Sequence, residues 1–266
     1  VLHSLSFVED PTRVFRAVRF ETRFGFHLGK DTLALIKAAV KMDLFHRLSG
    51  HRLLEEWKAL CTEREPKTGL RRLADLDLLR FIHPKLVWTA RLEKLLLAVE
   101  ETLDWYRLLY LDRTVEVWLI YTMALAAVLP DRGVSDLLKR FPFSEREATT
   151  LKALRGGAHR LLRQLAKQPP LKPSAVCHVL EDLPDEALVA MMAQSPSDQV
   201  KRQVSAFLTT WRQAKPLLTG ADLRAMGVKP GPIYSKVLGQ LRDAHLDGTV
   251  KTEAEERAFV EALIRR

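Results

Sequence analysis

Cysteine is almost missing. Its two residues, Cys61 and Cys177, are far apart and lack metal-ligand spacing. This excludes a disulfide scaffold and a clustered zinc site, and it fits a reducing, cytoplasmic setting. No run of about 18 apolar residues occurs, so no membrane span is expected. The longest apolar stretch, Val115 to Leu129, is interrupted by Glu116 and reads as a buried helix. There is no signal-peptide pattern. Glycine and proline number only 12 and 13 in 266 residues and fall between helical blocks. Period-two alternation is absent, so strands are not expected. The chain opens on Val1 rather than Met and reads as a piece of a longer protein.

What is present is helix, apolar surface and positive charge. At 47% hydrophobic the chain can bury a real core and hold more than one module. Lys and Arg total 42 against 33 Asp and Glu, a net charge of +9. That balance favours a polyanionic partner without naming one.

The densest chemistry lies in Glu9 to Phe26, EDPTRVFRAVRFETRFGF. Asp10-Pro11 signals a helix start, and Ser6 with Glu9 offers a competing capping box. A helix from about Pro11 to Phe24 follows, stopped by Gly25. Arg13, Arg16, Arg19 and Arg23 fall on one arc, with Val14, Ala17, Val18, Phe20 and Phe24 on the adjoining one. Four guanidinium groups on one face need an anionic answer. Water with scattered carboxylates is one; phosphate, which arginine grips as a fork, is the other. An Asp and an Arg three apart also suit base reading. Adenine and cytosine present an amino donor beside a ring-nitrogen acceptor, which a carboxylate and a guanidinium complement; guanine and uracil present the reverse.

The stretch FVEDPTRVFRAVRFETRFGF resembles the segment of bacterial tRNA nucleotidyltransferases where the catalytic head meets the neck. That family includes CCA-adding, A-adding and poly(A)-adding enzymes. Glu9, Asp10, Pro11, Arg13, Arg16, Ala17, Arg19, Phe20, Phe24 and Phe26 carry the match. The resemblance implies that Asp10 and Arg13 select the base of incoming ATP or CTP, with Glu9 and Arg16 beside them at the nucleotide. Arg19 and Arg23 are then candidates for RNA. LSGHRLLEEWKAL is similar to a family helix that braces the selecting one; Ser49, Arg52, Glu55 and Lys58 match, while His51 replaces the usual Glu. Glu55 or Glu56 is expected to pair with the arginine stripe.

Asp75 and Asp77 spell D-x-D in a helical register among leucines, and read as a solvated turn rather than a metal site. The head's other landmarks, a GGxxRD turn and an RRD strand, do not occur. The resemblance therefore implies a neck, body and tail without the head, which would bring Mg²⁺ in the full-length enzyme. This portion alone is expected to transfer no nucleotides.

The remaining chain reads as helices. Asp31 is expected to cap one through Lys41. Trp88, Trp105, Tyr106, Tyr110, Trp118 and Tyr121 suggest a core layer more than a base-stacking platform. Ser144 with Glu147 forms a capping box, and Gly156-Gly157 is expected to end that helix. Gln168 to Pro173 reads as a connector. Ser195-Pro196 is expected to open a long helix to about Lys215. Near the end, LLTGADLRAMGVKPGPIYSKVLGQLRDAHLDGTV resembles the family's tail on Gly220, Asp222, Leu223, Gly227, Pro230, Gly231, Pro232, Leu238 and Gly248. Gly231-Pro232 opens a helix beside Lys229 and Lys236, a geometry able to hold phosphate or simply to pack a turn. Thr252 with Glu255 caps the final helix.

The expectation is thus an all-α, elongated chain: a neck over 1–85, a helical body over 86–172 and a tRNA-binding tail over 173–266. Its expected partners are tRNA, ATP or CTP, and the missing head, with no membrane. A helical-repeat scaffold for a protein partner is the alternative; the EDPTR and PGP elements argue against it, because stacking helices needs neither.

Overall fold

A computed structural model describes residues 5–154 and 158–264, all helix and connection; among the described residues there is no strand. The expected helix end at Gly156-Gly157 lies outside the described residues. Contacts divide the chain into two compact units. These cut across the three modules expected from sequence, since residues 1–158 share one unit with 184–194.

Unit 1 holds α1 (Ser6–Glu9), α2 (Thr12–Phe24), α3 (Lys30–Lys41), α4 (Gly50–Cys61) and α5 (Pro66–Asp75). It continues with α6 (Ala90–Leu108), α7 (Val117–Val128), α8 (Gly133–Arg140) and α9 (Glu145–Ala153). The second unit contributes α10 (Ala158–Leu165) and α11 (Pro173–Leu180). The chain then returns to unit 1 for α12 (Asp185–Gln194) before finishing in unit 2 with α13 (Asp198–Thr209), α14 (Gly220–Ala225), α15 (Ile233–Leu246) and α16 (Glu253–Ile264).

The centre of unit 1 is the packing of α6, α7 and α12. α7 is buried continuously from Trp118 to Leu125 and α12 from Asp185 to Ala193, the pattern of helices enclosed on all sides. Burial of α12 includes two acids in its first turn. Tyr106 Oη donates to Asp185 at 2.8 Å; the Glu116 N–H and Arg146 reach Glu186, each at 3.2 Å. A helix N-terminus is a favourable place for such charges. α4 joins this core through Trp57, whose indole N–H donates to the Thr122 hydroxyl at 2.8 Å. Gly50 lets the start of α4 pass against α8, where any Cβ would run into the Arg140 carbonyl.

Several local expectations shift. α3 starts after Gly29, with Asp31 inside its first turn rather than capping it. α13 covers only Asp198–Thr209, and a short 3-10 turn, Trp211–Gln213, replaces its expected last stretch. Of the six aromatics expected as core, Tyr106, Trp118 and Tyr121 are buried, but Tyr110 is almost fully exposed.

Unit 2 closes α14, α15 and α16 around Leu218, Leu223, Val228, Val237, Leu241 and Val260. Glu256 is fully buried and accepts from the Leu217 and Leu218 N–H groups at 3.1 and 2.9 Å. α11 is tied to α15 by His178 with Asp243 at 2.9 Å and by the Ser174 hydroxyl donating to Asp247 at 2.8 Å.

Candidate functional site

The chemistry of unit 1 gathers where α1, α2 and α4 meet. α2 buries Val14, Phe15 and Val18, while Phe20 and Phe24, expected on the packed side, stand exposed with Phe26. α2 ends at Gly25 in the left-handed conformation (φ 65°), a conformation glycine adopts without the steric cost a Cβ brings. The three phenylalanines form a ladder, with ring centroids 5.9 Å apart for Phe20–Phe24 and 5.4 Å for Phe24–Phe26.

The arginine stripe is answered from within the protein. Arg16 Nε meets Glu56 at 2.5 Å, Arg19 meets Glu63 at 3.2 Å, and Arg23 approaches the same Glu63 at 3.7 Å. Glu56, not the exposed Glu55, is the partner supplied by α4, and its hydrogen bond raises the Arg16 pKa. Arg19 is mostly covered in its pair, whereas Arg16 and Arg23 keep about half their side chains in water.

Asp10 and Arg13 sit at the corner between α1 and α2, each held by one atom. Asp10 Oδ1 accepts from the Thr12 N–H at 3.1 Å and the Thr12 hydroxyl at 2.5 Å, and it pairs with Arg52 at 2.9 Å. Burial pushes the Asp10 carboxyl up, but Thr12 and Arg52 outweigh it and hold its pKa below the usual carboxylate value. Asp10 Oδ2 lies 3.9 Å from Arg13 Nε. Arg13 Nη1 donates to the Ser6 hydroxyl at 2.7 Å and to the Ser6 carbonyl at 3.3 Å, and lies 3.9 Å from Glu9. The corner is not sealed: the Arg13 side chain is 39% exposed and that of Asp10 19%. Arg13, Arg16, Phe20, Phe26 and His27 line an open cleft of about 570 Å³. Arg52 was legible as a motif match, but its contact with Asp10 was not. The sequence spacing marks Ser6 only as a cap, whereas in the structure its hydroxyl and carbonyl accept from Arg13.

The other expected residues lie in unit 2. Lys229, Gly231 and Lys236 are exposed around the start of α15. The turn before it is held by the Tyr234 hydroxyl donating to the Val228 carbonyl at 3.0 Å, and the Tyr234 N–H is taken by the Gly231 carbonyl at 3.0 Å.

The D-x-D pair does not fit a divalent ion. Asp75 pairs with Arg71 at 3.2 Å and Asp77 with Arg80 at 3.3 Å. Among the described residues no three His, Cys, Asp or Glu side chains converge as a metal site requires. No helix among them is long and apolar enough to cross a membrane.

Residues 25–88 match a family described as a probable RNA and SrmB-binding site of polymerase A. Over 260 residues the chain is 40% identical to an A-adding tRNA nucleotidyltransferase of Geobacter sulfurreducens, covering 96% of this chain and 30% of that protein. It is 26% identical to the A-adding tRNA nucleotidyltransferase of Halalkalibacterium halodurans, covering 97% and 57% respectively. Among solved structures, a Thermotoga maritima CCA-adding enzyme complexed with tRNA superposes with a TM-score of 0.82 at 25% identity, over 99% of this chain and 63% of that one. A CCA-adding enzyme with CTP gives 0.80 at 25% identity, over 100% and 63%. The chain thus spans less than two thirds of the length of each of these relatives.

Proposed function

The chain belongs to the family of A-adding and CCA-adding tRNA nucleotidyltransferases, and we propose that it is the part that selects the nucleotide base and holds the tRNA. Asp10 accepts from the exocyclic amino group of adenine or cytosine, and Arg13 donates to the ring nitrogen beside it. Guanine and uracil meet like against like: a carbonyl opposite the carboxylate and an N–H opposite the guanidinium. Leaving such polar groups unpaired beneath a bound base is what makes a hydrogen-bonding site reject an analogue. Glu9 and Arg16 flank this pair at the nucleotide.

The observation that carries the reading is the pair itself. Asp10 and Arg13 lie side by side, partly exposed, each anchored through one atom and with Asp10 Oδ2 and Arg13 Nε turned toward each other at 3.9 Å. Arg23, with Arg19 behind it, and Lys229, Gly231 and Lys236 contact RNA phosphates, so the acceptor arm is recognised by shape and charge, not sequence. Nucleotidyl transfer and its Mg²⁺ are assigned to a separate head, which the greater length of the relatives leaves room for. In this reading the neck spans 1–85, the body 86–172 and the tail 173–266, functional modules whose bounds differ from those of the two compact units.

Arg13→Ala in the complete enzyme is expected to abolish the preference for ATP over GTP; an unchanged preference would overturn the reading. Affinity for tRNA should fall steeply with salt. Lys229→Ala combined with Lys236→Ala should lower the log–log salt slope by about one to two. Salt-independent binding would remove the phosphate contacts.

A further inference from the structure

We propose that Ser6 is a positioning residue for base selection: it fixes where the Arg13 guanidinium points and how far it stands from Asp10. This rests on the base-selecting reading and deepens it.

Ser6 is buried, with 4% of its surface exposed. Its two oxygens form a cradle for one nitrogen, the hydroxyl at 2.7 Å and the carbonyl at 3.3 Å from Arg13 Nη1. The same carbonyl accepts the Asp10 N–H at 3.3 Å. One residue therefore ties both selecting residues together, through the main chain of one and the side chain of the other. This geometry differs from ordinary capping, where a serine hydroxyl would serve the N–H groups of its own helix.

The consequence lies in which atoms remain. An arginine carries five N–H donors in a rigid plane, so holding Nη1 sets the orientation of the whole fork. With Nη1 in the Ser6 cradle, Nε lies 3.9 Å from Asp10 Oδ2, and Ser6 and Arg13 both line the cleft. On the acidic side, Thr12 and Arg52 occupy Oδ1 of Asp10 and leave Oδ2 to the ligand. Selection needs an acceptor and a donor at fixed separation. Without the Ser6 hydroxyl, the long Arg13 side chain can rotate toward Glu9, 3.9 Å away, and serve several donor–acceptor patterns.

The test is steady-state nucleotide addition by the complete enzyme with ATP, CTP and GTP on one tRNA. Ser6→Ala is expected to reduce the ATP-over-GTP ratio of kcat/KM about tenfold, the scale of one hydrogen bond to a charged group. The KM for tRNA should not move, and Ser6→Thr, which keeps the hydroxyl, should restore most of the ratio. In an Arg13→Ala background, Ser6→Ala should change nothing further. If Ser6→Ala keeps the wild-type ratio while Arg13→Ala loses it, the positioning role is wrong and base selection stands. If Arg13→Ala also keeps the ratio, base selection fails and the role of Ser6 falls with it. A loss of activity equal for all three nucleotides would mark Ser6 as structural only and overturn the proposal.

Discussion

Removing either partner of the Arg16–Glu56 pair should destabilise unit 1 by unequal amounts, and the inequality follows from burial. The two groups meet at 2.5 Å, yet the Glu56 side chain is 8% exposed and that of Arg16 52%. Arg16→Ala leaves a buried carboxylate without its counter-charge, a situation that costs about 3 kcal/mol. Glu56→Gln keeps an acceptor oxygen in place and leaves a guanidinium free to turn into water. That loss is nearer that of a screened, half-exposed pair, about 1 kcal/mol. The gap of about 2 kcal/mol corresponds to roughly 4–8 °C in Tm for a unit of this size. Tryptophan fluorescence during urea unfolding is the assay. Trp57, Trp88, Trp105 and Trp118 lie in unit 1, and only Trp211 reports on unit 2. Equal costs, or a greater cost for Glu56→Gln, would show that the arginine does not shield a buried charge.

Two further outcomes follow from unit 2. Glu256→Ala removes the acceptor for two backbone N–H groups and should cost about 2–4 kcal/mol; faster amide exchange at Leu217 and Leu218 is the local signature, and unchanged exchange would contradict it. The Asp243 hydrogen bond raises the His178 pKa above its ordinary value. A raised folded value means that the stabilisation is fully present below about pH 6.5 and is lost as pH rises through the raised value. The Tm difference between the protein and His178→Gln should therefore shrink from mildly acidic to alkaline pH, and a constant difference would refute the link.

Sequence reasoning succeeded where the cause is local. Ser144 and Glu147 form their reciprocal cap, Thr252 and Glu255 do the same, and Gly25 ends α2, because each depends on a few neighbouring residues. It failed where the cause is distant in the chain. Phe20 and Phe24 have the right spacing for a packed face, but they stay exposed, set against each other, Phe26 and the neighbouring arginines instead of a core. Glu63 gathers Arg19 and Arg23 from 44 and 40 positions away, and no periodicity announces it. The corner at Asp10 was legible as a motif, while its anchoring by Arg52 and Ser6 was not, since both contacts depend on how α1 and α4 are set against α2.

The return of α12 to unit 1 bears on how the polypeptide matures during translation. The apolar faces of α6 and α7 emerge from the ribosome well before Asp185–Gln194, and residues 159–183 of the intervening stretch belong to the other unit. Until residue 194 has left the exit tunnel, a nascent chain carries this half-built core uncovered. A truncated product ending before α12 is therefore expected to be cleaved faster by protease than one ending after residue 194.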